Sequence, residues 1–157
     1  MARRLSVVQE HIRDALDAKT GTFHVVSSCS GDGRDVIDVL GQRDDADRVQ
    51  ATLLEVNDDI AQAARHRAAA AGLAGIEVRT VDAGKAASYV GVVPADLVLL
   101  VGIFGNITDE DIQATIRAVP QFCCSGATVV WSRGREDRDL GQPEPLHPNR
   151  HLFTFLR

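Results

Sequence analysis

The chain has 157 residues, of which 45% are hydrophobic and 25% charged, and its formal net charge is −5. This length and composition are typical of one soluble globular domain with a sizeable core. The negative charge disfavours a nucleic-acid partner. No apolar run approaches the roughly 20 residues of a membrane span, and no apolar stretch follows Arg3 and Arg4 as in a secretory signal.

The cysteines Cys29, Cys123 and Cys124 do not have the spacing of metal ligands. Their odd number, with two of them adjacent, indicates reduced thiols, which persist in the cytoplasm. We therefore expect a cytoplasmic protein without a metal site.

Residues 1–21 predict an N-terminal amphipathic helix that ends near Gly21. Its apolar face consists of Leu5, Val8, Ile12, Ala15 and Leu16. We expect this helix to pack at an edge of the sheet that follows; a lid over a ligand is the alternative.

Residues 23–26 predict a buried strand, and the spacing of apolar residues from Val36 to Leu40 predicts a helix. The turn between them, Ser27 to Gly33, contains almost only small residues. The free N–H groups and dipole of a helix start can bind a carboxylate or phosphate, and Gly31 and Gly33 let a ligand approach the main chain. An ordinary strand-to-helix turn is the alternative.

The chain from residue 22 to 132 alternates strands and helices. Further strands are predicted at 49–56, 76–81, 95–101 and 127–131, and helices at 59–71, 83–90 and 109–119, the last ended by Pro120. This alternation predicts a single α/β domain with a doubly wound parallel sheet of at least five strands. Ligands of such sheets bind at the carboxyl ends of the strands.

Residues 133–150 carry charges and prolines without periodicity and predict an irregular linker, and residues 151–157 predict a final strand. An uncovered strand edge tends to pair. We expect the final segment either to join its own sheet or to form a homodimer contact.

Glu55 follows the glycine turn by about 20 residues, at the end of the next strand, where a carboxylate can bind both hydroxyls of a ribose. A solvated loop acid is the alternative. A dinucleotide site requires a third glycine, but Val36 stands at that position, and no P-loop lysine follows the turn. If Glu55 binds ribose, Glu55→Gln should weaken binding and leave the stability of the free protein nearly unchanged.

The stretch from Val25 to Trp131 resembles the class I S-adenosylmethionine-dependent methyltransferases. The first motif of that family is an acid, an apolar residue and Gly-x-Gly-x-Gly. Gly31 and Gly33 match its second and third glycines, whereas Ser27 replaces the acid and Cys29 the first glycine. The chain is similar to a bacterial subgroup of this family in its variant of the first motif, Cys-Ser-Gly-Asp-Gly-Arg-Asp, and in the later stretch Val-Gly-Ile-Phe-Gly-Asn-Ile.

The resemblance implies a Rossmann-like fold, S-adenosylmethionine as cofactor and methyl transfer to a small-molecule acceptor. By resemblance, Glu55 would hold the ribose hydroxyls, Val56 would lie against the adenine and Asp82 would meet its amino group. The motif from Asp96 to Asn106 would lie beside the sulfonium and substrate, with Phe104 and Asn106 positioning the acceptor. The implied cofactor residues are Ser28, Cys29, Ser30, Gly31, Gly33, Glu55, Val56, Asp82, Ala83 and Val101.

The hydroxyls of Ser27 and Ser28 could replace part of the missing acid. Cys29 could be reactive at a helix start, but packing beneath the turn is the expected role. His147 and His151 are expected to be structural or exposed, so no catalytic residue is assigned.

Two other functions are alternatives to methyl transfer. A methyltransferase-like binding or interaction module without catalysis agrees with the missing acid and with the short segment after the fifth strand, where relatives carry a further helix and strand pair. Either the substrate pocket is open, or a partner chain completes it, or methyl transfer has been lost. A nicotinamide-dependent oxidoreductase is disfavoured by Val36.

Overall fold

A computed structural model of the chain describes residues 2–103, 108–132 and 152–156. The helices are α1 (Ala2–Asp17), α2 (Arg34–Leu40), α3 (Asp58–Ala70) and α4 (Asp109–Phe122). The strands are β1 (Phe23–Ser28), β2 (Val49–Glu55), β3 (Ile76–Thr80), β4 (Ala95–Val101), β5 (Cys123–Ser132) and β6 (Leu152–Leu156). Two short 3-10 helices cover Ala46–Arg48 and Ala86–Tyr89.

The strands form one sheet in the order β3-β2-β1-β4-β5-β6. The first five strands are parallel, and β6 runs antiparallel to β5. Val25 of β1 pairs with Ala51 of β2 on one side and with Leu97 of β4 on the other. The strand order therefore reverses beside β1, which is where open α/β sheets bind ligands. The predicted doubly wound sheet is confirmed.

Successive strand residues point to opposite faces of the sheet and build two apolar layers. Val25 and Leu97 belong to the layer under α1, α2 and α3, while Val26 and Val98 belong to the layer that faces α4 and the segment between β3 and β4. All four side chains are at most 2% exposed. Burial on both faces explains the nearly continuous apolar sequence of β4.

The N-terminal helix α1 lies on a face of the sheet, and the prediction that it packs at an edge is wrong. Val8, Ile12 and Leu16 are at most 1% exposed and form part of the core cluster that includes α2 and the central strands. Such a broad apolar stripe is better buried against a sheet face than against the thin edge of a strand. The Gln9 side-chain amide donates to the carbonyl of Arg34 at 3.1 Å, which places α1 beside the start of α2.

Pro120 does not end α4, contrary to the prediction, because the helix continues to Phe122. A proline removes one N–H donor and crowds the carbonyl four residues earlier, but here it affects only the last turn. The Phe122 ring stacks on Tyr89 with ring centroids 4.4 Å apart, and this packing supports that turn. The helix predicted at 83–90 is only the 3-10 helix Ala86–Tyr89.

The predicted final strand is confirmed as β6, which pairs with β5 of its own sheet through the register Phe153 to Trp131. The predicted linker at 133–150 lies outside the described residues. Within the part of the chain that the structure describes, no helix is long and apolar enough to cross a membrane.

Candidate functional site

The turn from β1 to α2 lies at the carboxyl edge of the sheet and has an unusual backbone. Cys29, Gly31 and Gly33 have φ angles of 53°, 60° and 69°. These left-handed conformations favour glycine, so Cys29 holds a conformation that costs about 1–2 kcal/mol for an L-residue. A Cβ added at Gly33 would lie 2.7 Å from Leu53 Cδ1 and 2.8 Å from Ile37 Cδ1. Gly33 is therefore required both for its conformation and for close packing.

Glu55 connects this turn to β2. Its Oε2 accepts the N–H of Gly31 at 2.9 Å, and its Oε1 accepts the N–H of Asn57 at 2.9 Å. The residue is only 8% exposed, so the alternative of a solvated loop acid is wrong. A carboxylate has about four lone-pair directions, which leaves one acceptor direction on each oxygen. The carboxylate both fixes the turn and retains the capacity to accept two hydroxyls.

The turn also contains an unpaired polar atom beside open space. The Ser30 hydroxyl oxygen is buried and has no hydrogen-bond partner, while the N–H of Ser30 donates to the carbonyl of Leu54 at 3.0 Å. Nothing lies within 4 Å of the position that a Cβ of Gly31 would occupy. A buried hydroxyl without a partner costs free energy, and native proteins usually satisfy such groups. This arrangement fits a ligand that brings hydrogen-bonding groups close to the main chain of the turn.

Ser27 and Ser28 are each 1% exposed. The Ser28 hydroxyl lies 2.8 Å from the Tyr89 hydroxyl, on the face of the sheet that carries α4. The side chain of Ser28 is thus occupied by an internal hydrogen bond, and the idea that it substitutes for the missing acid is not supported by its position. Tyr89 was not singled out from the sequence, because it stands alone in a stretch without clear periodicity.

The segment after β3 brings Asp82 and Ala83 to the same edge. The Asp82 side chain is exposed, and its Oδ1 accepts the N–H of Gly84 at 2.8 Å. Ala83 is buried, and its carbonyl accepts the Tyr89 hydroxyl at 2.8 Å. Asp82 consequently presents an exposed carboxylate at this edge, on a segment that is held by internal hydrogen bonds.

Cys29 is exposed, so the prediction that it packs beneath the turn is wrong. Partial desolvation of the thiol raises its pKa, and the negative charges of Glu55 and Asp82 raise it further. A raised pKa keeps the side chain as the thiol at neutral pH and argues against a nucleophilic role.

The other predicted residues lie around this edge. Val56 is 67% exposed next to the buried Glu55, and Val101 is partly buried at the end of β4. Phe104 and Asn106 lie outside the described residues. The structure therefore brings together the turn, Glu55, Val56, Asp82, Ala83 and Val101 along the ends of β1 to β4.

A charged network supports the turn and was not predicted. Asp32 accepts Arg34 Nε at 2.8 Å and Arg67 Nη2 of α3 at 3.3 Å. The hydrogen bond from Arg34 holds the pKa of Asp32 below its ordinary value, against the opposing effect of burial. The network links the glycine turn to α3.

Asp96 does not lie beside this site, although the resemblance assigned it to the motif next to the sulfonium. It sits at the start of β4, at the opposite edge of the sheet, and is 7% exposed. Its carboxylate accepts the N–H of His24 at 2.8 Å, the Cys124 thiol at 2.9 Å and the Lys19 ammonium. Burial alone would raise the pKa of Asp96, but these donors hold it below the ordinary value. Asp96 is therefore a structural acid.

Two open clefts also lie at this opposite edge. One, of about 330 Å³, is bordered by Lys19, Arg43 and Arg48, and the other, of about 270 Å³, by Leu73 and Ile76. The Arg43 and Arg48 guanidinium groups already bind the Asp45 carboxylate, so the first cleft presents paired charges. Neither cleft contains a residue predicted for the site. Among the residues that the structure describes, no group of His, Cys, Asp and Glu could hold a metal ion.

Solved structures with the same fold come from several methyltransferases. The chain matches a SAM-dependent methyltransferase from Thiobacillus denitrificans, solved in complex with S-adenosyl-L-homocysteine, with a TM-score of 0.60 and 21% identity over 79% of this chain and 46% of that one. It matches another SAM-dependent methyltransferase, from Geobacter sulfurreducens, also solved in complex with S-adenosyl-L-homocysteine. The TM-score is 0.61, with 18% identity over 79% of this chain and 46% of that one.

A third match is the precorrin-6y C5,15-methyltransferase from Geobacter metallireducens, with a TM-score of 0.61 and 14% identity over 81% of this chain and 60% of that one. The chain spans about half the length of the first two proteins. No family model and no curated protein matches the sequence. The resemblance predicted from the glycine turn is thus confirmed at the level of architecture: the chain has the class I fold of the S-adenosylmethionine-dependent methyltransferases.

Proposed function

We propose that this chain binds S-adenosylmethionine at the carboxyl edge of its sheet and transfers the methyl group to a small-molecule acceptor. The observation that carries the proposal is the hydrogen bond from the Gly31 N–H to Glu55 Oε2. It places a buried carboxylate with spare acceptor capacity against a glycine turn that contains an unpaired hydroxyl. The structural neighbours with bound S-adenosyl-L-homocysteine support the same ligand.

Each part of the edge has a distinct task in this proposal. Glu55 accepts the two ribose hydroxyls through its remaining lone pairs, in charge-assisted hydrogen bonds. The unpaired Ser30 hydroxyl donates a hydrogen bond to the amino-acid end of the ligand. This end approaches over Gly31, where no Cβ blocks the way. Asp82 accepts from the adenine amino group, and Val56 offers an exposed apolar side chain to the ring.

When bound, the cofactor supplies a methyl group that its sulfonium already activates. The protein then contributes mainly by aligning the acceptor with that methyl group, and alignment alone can lower a barrier by several kcal/mol. The high pKa of Cys29 leaves its thiol protonated, so it is not assigned as a methyl acceptor or a base.

The proposal is tested by calorimetric titration of the protein with S-adenosylhomocysteine and, side by side, with NAD. We expect saturable heat of binding with S-adenosylhomocysteine and none with NAD at the same concentrations. Binding of NAD alone would contradict the proposal and favour an oxidoreductase.

A binding or interaction module without catalysis is the second candidate, favoured by Ser27 at the position of the motif acid. The two are separated by incubating the protein with S-adenosylmethionine and a mixture of small-molecule acceptors and measuring release of S-adenosylhomocysteine. Release that depends on both the protein and the mixture supports the enzyme. Binding of the cofactor without release, across chemically diverse mixtures, supports the module.

A further inference from the structure

Tyr89 joins two segments of the carboxyl edge that the sheet itself does not connect. Its hydroxyl lies 2.8 Å from the Ala83 carbonyl and 2.8 Å from the Ser28 hydroxyl. The segment containing Ala83 follows β3, whereas Ser28 ends β1, and β2 lies between these two strands. The bridge therefore spans the edge beneath the residues assigned to the adenine.

The direction of both hydrogen bonds follows from the available protons. A carbonyl can only accept, so the single phenolic proton of Tyr89 goes to Ala83. The phenolic oxygen then accepts the proton of Ser28. Both partners are buried, since Tyr89 is 5% and Ser28 1% exposed, so neither group can exchange its partner for water. Loss of the phenolic hydroxyl would leave two buried polar groups unpaired.

The ring of Tyr89 is fixed independently of its hydroxyl. It stacks on Phe122 at the end of α4, with ring planes inclined by 11°. The start of the same segment is held by Ser88, whose hydroxyl donates to the Asp82 carbonyl at 2.7 Å. Removal of the phenolic oxygen should therefore release Ala83 from β1 and leave the aromatic packing in place.

We propose that Tyr89 is a positioning residue that sets the location of Asp82 and Ala83 against the end of β1 and thereby determines how well the site distinguishes adenine from other bases. This inference rests on the proposed function and identifies which residue controls base selection in it. Tyr89 does not touch the ligand; it acts through the Ala83 carbonyl.

The test compares S-adenosylhomocysteine with S-inosylhomocysteine, in which an oxo group replaces the adenine amino group. The parent should prefer the adenine ligand, because the Asp82 carboxylate accepts from an amino group and is opposed by a carbonyl oxygen. In Tyr89→Phe we expect affinity for S-adenosylhomocysteine to fall about tenfold and the preference between the two ligands to shrink by a similar factor. Thr128→Val, which removes a buried hydroxyl from β5, is the control and should keep the preference.

A readout on the parent protein does not depend on the variant. Tyr89 is the only tyrosine of the chain, so tyrosinate absorbance reports on it alone. Burial raises the pKa of Tyr89, the Ser28 hydrogen bond lowers it, and the charges of Cys29 and Asp82 raise it further. Because tyrosinate cannot donate to Ala83, linkage requires bound S-adenosylhomocysteine to raise the pH at which the absorbance appears.

An unchanged base preference in Tyr89→Phe, or tyrosinate formation that S-adenosylhomocysteine does not shift, would overturn the positioning role while the proposed function stands. A parent protein that binds neither ligand would overturn both. A lower melting temperature of the variant with the parent's base preference would make Tyr89 structural only.

Discussion

Glu55→Gln tests the ribose assignment, but the structure shows that this variant changes more than ligand binding. Each Glu55 oxygen accepts a backbone N–H at 2.9 Å, from Gly31 and from Asn57. A glutamine keeps one acceptor oxygen and turns an NH2 group toward the other donor. Leaving one buried N–H unpaired costs about 1–3 kcal/mol, so the free protein should lose stability by that amount. The expectation of nearly unchanged stability, drawn from the sequence, is revised by these two contacts.

The affinity of Glu55→Gln for S-adenosylhomocysteine should also fall, by about tenfold or more, since two charge-assisted hydrogen bonds are weakened. Loosening of the turn alone could produce a similar loss. A ligand analogue that lacks the ribose hydroxyls separates the two causes, because it cannot use the carboxylate of Glu55 whatever the state of the turn.

The assay is a double-mutant cycle measured by calorimetry, with parent and Glu55→Gln protein against S-adenosylhomocysteine and its 2′,3′-dideoxy analogue. We expect the analogue to bind the parent about tenfold more weakly and to show a much smaller difference between parent and variant than the natural ligand does. Glu77→Gln, which changes an exposed glutamate of β3, is the control and should behave as the parent. If the losses from the variant and the analogue simply add, Glu55 does not contact the ribose, and its role is limited to the turn.

Two further predictions concern stability. Burial raises the pKa of Asp35, at the start of α2, to about 6 from 3.8. The contribution of Asp35 to the unfolding free energy is therefore fully present below its unfolded pKa and is lost as pH rises through about 6, by roughly 3 kcal/mol in total. Asp35→Asn should therefore raise the unfolding free energy in denaturant titrations at pH 7.5 (~1.5 units above that pKa) and not at low pH; an equal difference at both would show that Asp35 is not the titrating group. Gly33→Ala should lower the unfolding free energy by about 1–3 kcal/mol. Gly72 has the same φ of 69°, but no atom lies within 4 Å of the position of an added Cβ, so Gly72→Ala should lower the unfolding free energy less. Equal losses in the two variants would show that the contact with Leu53 is unimportant.

The parallel strands of the sheet and the edge that carries the site follow from local sequence, because apolar periodicity and glycine positions are local signals. The strand at Ala95–Val101 has the predicted bounds, and Asn57 caps α3 by accepting the N–H of Ile60 at 3.1 Å, a contact between residues three positions apart. Side-chain pairing between distant segments could not be predicted in this way. The bridge from Tyr89 to Ser28 joins residues 61 positions apart, and nothing in either local pattern indicates it.

Two wrong predictions have separate origins. The predicted end of α4 at Pro120 rests on the local cost of a proline in a helix. It leaves out the packing of Phe122 on Tyr89, which is a tertiary contact. The resemblance places the whole motif from Asp96 to Asn106 beside the site, but Asp96 stands at the start of β4, and only the other end of that strand reaches the site. A strand of this length spans about 20 Å, so the two ends of one motif can serve opposite edges of a sheet.

The central claim is that the carboxyl edge, rather than either cleft at the opposite edge, binds S-adenosylmethionine. Amide NMR spectra of the protein titrated with S-adenosylhomocysteine test it most directly. The account predicts that the largest shifts fall on Ser30, Gly31 and Asn57, with further shifts at Gly84, while the amides of residues 16–21 and 43–48 stay unchanged. Shifts confined to residues 16–21 and 43–48, or no shifts at any ligand concentration, would contradict it.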